Sequence, residues 1–206
     1  MTITSILEYD KRRVLVKLDE HLEFPLYKGE VRRYSLSEGE EISDEAYTEI
    51  VEKVLLKRVK LRAMSLLQKR SYTREMLGRK LIEGRYPLEL VEKALDYVAS
   101  YHYIDDARYA GEYIRCYCES RSKRRIMQDL KNKGVSPEVA ETAWQTYETE
   151  SSPVDEIRQI QEILQKKHFD KNTADYKETM RIMNFLYRKG YSVDCIKQCM
   201  NFEEFT

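Results

Sequence analysis

Glycine and proline are scarce in this chain, with seven and four among 206 residues. That is too little turn material for an all-β protein and too little for a flexible linker protein. Histidine is rarer still, confined to His21, His102 and His168. The four cysteines fall as Cys116-x-Cys118 and Cys195-x-x-x-Cys199. Neither spacing is the CxxC pair of a structural zinc site. They are expected to be reduced thiols in the core or at its boundary. No apolar run approaches the ~18 residues of a membrane span. The opening Met-Thr-Ile-Thr-Ser-Ile-Leu has no basic lead ahead of an apolar stretch, so no signal peptide is expected and a cytoplasmic protein is. There is no Walker-type phosphate loop. No nucleophile–base pair or metal cluster stands out either, so neither an enzyme nor a cofactor is expected.

Charge is abundant. Charged residues make up 35% of the chain and the apolar set 42%, with a mean hydropathy of −0.67. Thin helical layers with large solvated faces suit that balance better than a deep catalytic core. The 36 basic and 36 acidic residues cancel overall but are segregated along the chain. Lys57 to Arg85 holds ten Lys/Arg against Glu75 and Glu83, and Arg121 to Lys133 holds six against Asp129. Such clusters place basic surface against a polyanion or an acidic protein face, or they merely solvate a helix.

The first ~28 residues alternate as strands do. Arg13–Leu18 is the clearest. Leu22–Tyr27 carries Pro25 and so reads as an edge strand, and Ile3–Tyr9 is a weaker third. Such a sheet is too small to stand alone and should lean on the next helix. After a turn at Glu38–Glu41, Ser43 is placed as an N-cap with Asp44 and Glu45 in the first turn. From there the period is helical. Ala46, Ile50, Val54, Leu61, Met64 and Leu67 form one stripe, with a break expected near Lys57–Lys60. A cap site at Ser71–Arg74 starts the next helix, Gly84 stops it, and Pro87 opens another as its first residue. At Tyr103-Ile104-Asp105-Asp106-Ala107-Arg108-Tyr109, Asp105 is the expected N-cap and Asp106 a first-turn acid. Ile104 and Tyr109 stand at hydrophobic-staple positions. A paired-carboxylate metal or acid–base site is the alternative, but it lacks a third ligand or a histidine nearby.

A repeat emerges from residue 58 onward. Shifting Leu77–Leu95 by 49 residues lays it on Ile126–Trp144, matching Leu81 with Leu130, Glu89 with Glu138 and Ala94 with Ala143. A further shift of 56 residues brings Ile126, Met127, Leu130, Lys133, Gly134 and Ser136 onto identical residues, six matches in 19 positions. Gly134 and Gly190 each follow a helix as left-handed terminators, and Ser136-Pro137 restarts one with a cap and an N1 proline. The expected fold is mainly α: three tandem three-helix repeats forming an elongated body, preceded by a small β-rich segment. The boundaries are a β-rich segment at 1–42, a linking helix at 43–57, and repeats at 58–104, 105–150 and 151–206. Ser151-Ser152-Pro153 marks the clearest break.

These residues resemble the RecX family of bacterial regulatory proteins. The resemblance is carried by Tyr72-Thr73-Arg74-Glu75-Met76-Leu77 with Lys80-Leu81, by Tyr103-Ile104-Asp105-Asp106-Ala107-Arg108-Tyr109-Ala110, and by Arg125-Ile126 with Leu130-Lys131-Asn132-Lys133-Gly134-Val135. It spans roughly residues 55–200. The N-terminal segment with Tyr34–Gly39 is similar to the longer Gram-positive members. One departure is Ser122-Lys123-Arg124-Arg125, where the family usually has a glycine. The resemblance implies a modulator of the RecA recombinase that lies along RecA–DNA filaments and damps strand exchange and ATP hydrolysis in DNA repair and the SOS response. Some members also bind DNA directly. The expected partners are therefore RecA protein and the RecA–DNA filament, with single- or double-stranded DNA also in reach, and the protein is expected to be a monomer.

The candidate contact residues are Arg74, Arg79, Lys80 and Arg85 in repeat one. In repeat two they are Arg121, Lys123, Arg124, Arg125, Lys131 and Lys133. Arg74 and Lys123 coincide under the 49-residue shift, each near the start of the second helix of its unit. A helix start beside arginines can hold phosphate through side chains and backbone N–H groups. Repeat three has Thr179 and Met180 in place of Lys123 and Arg124, so contact is assigned to repeats one and two. Tyr101, Tyr103, Tyr109, Tyr113 and Tyr117 could stack bases, but core and interface packing is the preferred reading. Trp144 is expected in the core. Two other readings compete: a direct DNA-binding protein of transcription-regulator type, and a generic helical scaffold. Helix–turn–helix units superficially favour the first, but the would-be recognition helices carry Glu89, Glu92, Glu138 and Glu141, which are poor groove readers.

Overall fold

A computed structural model describes residues 1–19, 22–151, 155–170 and 173–200. The chain divides into two compact units, Met1–Asp105 and Asp106–Thr206.

The first unit begins with an antiparallel sheet in the order β1-β2-β3, made of β1 (Ile3–Glu8), β2 (Arg13–Leu18) and β3 (Glu23–Tyr27). Pro25 pairs with Leu15 on the edge strand β3, where its missing N–H leaves no ladder bond unmade. A short helix unannounced by apolar periodicity, α1 (Lys28–Arg33), follows directly and buries no residue. It is started by the Glu30 carboxylate, which accepts the Tyr27 N–H at 2.8 Å.

Ser43 caps α2 (Asp44–Thr48) by accepting the Ala46 N–H. The expected interruption near Lys57–Lys60 does not occur. The helix instead widens earlier, into a π-helical stretch at Glu49–Leu55, and runs on as α3 (Leu56–Leu67). The wider turns explain why the expected apolar stripe is displaced. The buried positions are Ile50, Leu55, Val59, Ala63 and Leu66, while Leu61 is 57% exposed. The five-residue step from Ile50 to Leu55 is the i→i+5 spacing of a π turn. Beyond it the buried face continues through Val59, Ala63 and Leu66.

The repeat proper comprises α3, α4 (Arg74–Ile82) and α5 (Leu88–Ser100), which pack on one another. Thr73 caps α4 by accepting the Met76 N–H at 3.1 Å. Gly84 is not the left-handed residue that ends this helix. That residue is Arg85, with φ 61°, which the 49-residue shift lays on Gly134. Gly84 has a different task. A Cβ there would lie 2.7 and 2.9 Å from the buried Tyr86 ring. Pro87 is the N-cap of α5, one position earlier than expected. The sheet and helices share one core in which Val16, Phe24 and Leu26 join Ile50, Leu77, Leu81, Leu90 and Val98. Each such side chain contributes on the order of 1.5–3 kcal/mol.

The second unit holds α6 (Asp106–Tyr117), α7 (Lys123–Asn132) and α8 (Pro137–Glu150), followed by α9 (Glu156–Lys166), α10 (Tyr176–Arg188) and α11 (Val193–Met200). The expected break at Ser152-Pro153 lies outside the described residues. Trp144 is buried with Ile114, Ile126 and Leu130 in one core, while Ile160, Leu186, Tyr191 and Ile196 make the other. Gly134 and Gly190 adopt φ of 83° and 94°, a region that costs other residues ~1–2 kcal/mol. Ser136 caps α8 with Pro137 in its first turn, and Ser192 accepts the Cys195 N–H ahead of α11. The architecture is therefore mainly α, with three successive three-helix units behind a three-stranded sheet.

Candidate functional site

Most of the basic residues singled out by sequence are engaged within the protein. Arg74, at the start of α4, reaches α5 and pairs with Glu92 and Asp96, both at 2.7 Å. Lys123, at the start of α7, reaches α8 and pairs with Glu141 at 2.9 Å. Glu141 stands 49 residues after Glu92, the same shift that relates Lys123 to Arg74. The coincidence of these two cations thus has a structural cause: each clips the second helix of its repeat to the third. In repeat three the corresponding positions are Thr179 and Lys197, so no such pair can form.

The rest of the repeat-one group pairs at the surface. Arg79 meets Glu75, Lys80 meets Glu83, and Arg85 meets Glu23 of β3 at 3.2 Å. Exposed pairs of this kind contribute about 0–1 kcal/mol and exchange readily for another anion.

In repeat two, Asp129 is the hub. Its side chain is only 12% exposed, and it accepts from Arg121 at 2.7 Å and from Arg125 at 3.1 Å. The Tyr113 hydroxyl, 3.3 Å away, donates to the same carboxylate and accepts from Arg121 at 2.8 Å. Burial, then the Asp129 charge, push the Tyr113 phenol above its usual pKa, which keeps it a donor. Arg121 also covers the Tyr117 ring at 4.0 Å, and Lys133 covers that of Tyr113 at 5.3 Å. Arg124 and Lys131 differ from these. Both are exposed, and no carboxylate among the described residues forms an ion pair with either. They line a shallow groove between α7 and α8 with Met127, Gln128 and Glu141.

At the start of α7, where a helix start beside arginines is expected to hold phosphate, two backbone N–H groups are engaged within the protein. The Lys123 N–H donates to the Glu156 carboxylate of α9 at 3.0 Å, and the Arg125 N–H donates to Ser122 Oγ at 3.3 Å. Ser122, in the stretch where the resemblance leads one to expect glycine, is itself the N-cap. Its hydroxyl also donates to the Lys189 carbonyl at 3.0 Å. The turn after α10 is thereby seated on the start of α7. The seat is tight, because a Cβ on Gly190 would lie 2.6 Å from Ser122 Oγ and 3.3 Å from the Arg125 nitrogen. Gln159 Nε2 donates to the Cys118 carbonyl at 2.5 Å and Gln159 Oε1 accepts from Tyr191 at 3.1 Å, a second buried tie across the same junction.

This junction brings together residues that sequence reasoning missed. Arg188 and Lys189, at the end of α10, line an open cleft with Ser120, Arg121, Arg125 and Tyr191. The linear pattern gave one hint, the match of Lys189 to Lys133 under the 56-residue shift, and none for Arg188. Their partners across the cleft are more than 60 residues away, and repeat three has replaced Lys123 and Arg124 of the aligned cluster while keeping Lys189 in the place of Lys133.

Asp105 immediately precedes α6 and Asp106 occupies its first turn, the places a capping role requires. Tyr109 stacks on Tyr113, and Tyr117 meets Tyr113 at a tilt, along α6 against the repeat-two core. Tyr101 and Tyr103 are instead exposed, stacked on each other with Tyr97 beside them. Cys118 is buried and Cys116 exposed, while Cys195 and Cys199 are half-buried; all four are free thiols. Among the described residues no group of His, Cys, Asp or Glu could hold a metal ion. No helix among them is long and apolar enough to cross a membrane.

Comparison with known proteins agrees with this architecture. Residues 105–143 match the second three-helix domain of RecX and residues 155–200 match the third. The regulatory protein RecX of Clostridium perfringens strain SM101 is 30% identical over 204 residues, covering 94% of this chain and 92% of that protein. That of Caldanaerobacter subterraneus subsp. tengcongensis is 27% identical over 203 residues, covering 98% and 99%. Two crystal structures share the fold. A regulatory protein RecX superposes with a TM-score of 0.64 at 21% identity over 98% of this chain and 99% of its own. RecX from Lactobacillus salivarius superposes at 0.59 and 19% identity, over 71% and 94%. The chain belongs to the RecX family of regulatory proteins.

Proposed function

We propose that this chain is a cytoplasmic monomer that binds RecA protein or RecA–DNA filaments and inhibits strand exchange and ATP hydrolysis, so restraining recombination in DNA repair and the SOS response. Family membership carries this reading, and three features of the chain support it. Tandem three-helix repeats bounded at 58–104, 105–150 and 151–206 offer surface rather than a catalytic pocket. Arg124 and Lys131 present charge that no carboxylate among the described residues pairs with. Arg79, Lys80 and Arg85 sit in exposed pairs that a stronger anion can displace.

Direct groove reading by α5 or α8 is the weaker alternative. Glu92 and Glu141, which would face bases, are committed to Arg74 and Lys123, and glutamate against a phosphate-lined groove is repelled.

The test is RecA ATPase on single-stranded DNA at rising ratios of this protein. Inhibition at or below one protein per RecA is expected, with co-sedimentation on the filament. Neither binding nor any change in ATPase would overturn the reading.

A further inference from the structure

The cleft between α10 and the α6–α7 turn concentrates positive charge in a way the family reading does not use. Four cations line it: Arg121, Arg125, Arg188 and Lys189. Asp129 is shared by the first two. Arg188 and Lys189 form no ion pair with a carboxylate among the described residues, and with Glu156 and Glu162 near Tyr191 beneath them the four cations outnumber the acidic groups around the cleft. Like charges do not gather without cause. Here the Ser122–Lys189 hydrogen bond and the close seat of Gly190 hold the two segments together against that repulsion.

We propose that this cleft binds a backbone phosphate of single-stranded nucleic acid, with the exposed Tyr187 ring as the stacking surface for an adjacent base. This rests on the reading above for its setting, a protein–DNA filament. Two observations select this occupant. Four of the six residues lining the cleft are cations, with Tyr191 buried beneath them, whereas the centre of a protein interface is depleted of charge. Tyr187 is 49% exposed and next in sequence to Arg188, and Arg124 lies 5.6 Å from its ring. Alternating cation and aromatic surface is what single strands require, because their bases are free to stack and duplex bases are not. The arginine fork also suits phosphate oxygens. The site draws side chains from two repeats, so it exists only while repeat three is seated on repeat two.

The experiment uses the full chain without RecA and a fluorescein-labelled oligothymidylate, read by anisotropy across a salt series. The double variant Arg188→Gln/Lys189→Gln changes exposed positions only, and circular dichroism checks that it folds. It is expected to bind about tenfold more weakly at low salt, with a salt slope shallower by about 0.7 for each phosphate that is no longer neutralised. Tyr187→Leu is expected to weaken binding about fivefold with the salt slope unchanged. The charge-matched control Arg32→Gln/Arg33→Gln on α1 should remain within about twofold of the parent. Unchanged affinity in the Arg188/Lys189 variant overturns the proposal. So does a parent protein that ignores the oligonucleotide while inhibiting RecA, since the cleft would then serve an acidic protein surface; in either case the proposed function survives. Failure of the parent on RecA filaments with the oligonucleotide result intact leaves the phosphate site standing and removes the RecA reading.

Discussion

Gly190→Ala tests the seat between repeats two and three. The substitution carries two separable costs. The backbone at φ 94° charges a non-glycine residue ~1–2 kcal/mol. The new methyl also arrives 2.6 Å from Ser122 Oγ, well inside van der Waals range. Ser122 must then give up its bond to the Lys189 carbonyl, its cap on α7, or both, at about 1 kcal/mol for the cap alone. The expected loss is about 2–3 kcal/mol, concentrated in the second unit. Gly39 supplies the control. Its φ is also positive, at 83°, but nothing lies within 4 Å of its missing Cβ. Gly39→Ala should therefore show the backbone cost alone, about 1–2 kcal/mol. Urea denaturation with hydrogen exchange of α10 and α11 measures both. In a Ser122→Ala background the clashing oxygen is gone, and the penalty of Gly190→Ala should shrink by about 1 kcal/mol or more, a coupling typical of touching residues. If Gly190→Ala costs no more than Gly39→Ala, or if the two substitutions at the junction are additive, the seat is not what holds repeat three.

Three further outcomes follow from the same geometry. Gly84→Ala places a Cβ against the buried Tyr86 ring and should cost the first unit about 2–3 kcal/mol by overpacking, seen as a lower denaturation midpoint. Asp129→Asn removes the charge shared by Arg121 and Arg125 and should lower stability by about 1–2 kcal/mol, while Lys123→Ala, losing an exposed clip, should cost no more than about 1 kcal/mol. Burial, with Glu156 and Glu162 adding to it, pushes the Tyr191 phenol up to about 12. Its neutral form is favoured in the folded state, so its contribution is intact below pH ~10 and is lost as pH rises from there through about 12; a pH series of thermal melts, with Tyr191→Phe flattening that loss, is the check.

Arg85 shows what linear reading misses. A glycine beside a helix end is an obvious terminator, and Gly84 looks like one. The left-handed position one residue later is held by arginine, and its equivalence to Gly134 and Gly190 lies in the φ angles of the three repeats. The stripe along α2 and α3 misleads for a related reason. Helical periodicity assumes 3.6 residues per turn throughout, and a π-helical stretch at Glu49–Leu55 breaks that assumption without any marker in composition.

Local chemistry was legible where it decided the outcome. The strands of the N-terminal sheet, the caps at Ser43 and Ser136, the terminators Gly134 and Gly190, and the three-fold repeat follow from side-chain period and from hydrogen bonds made within four residues. The sequence alone also separated the basic clusters from the acidic stretches. It could not say which cations remain available. Arg74 and Lys123 look like the strongest binding candidates in one dimension, yet each spends its charge on a glutamate 18 residues away on the next helix. Arg188 and Lys189 look incidental, yet they complete a cleft with Arg121 and Arg125, more than 60 residues distant. Ion pairing and cleft formation depend on which helices touch, a long-range property. A sequence states how much charge a chain carries, and tertiary packing determines how much of it is left to meet a partner.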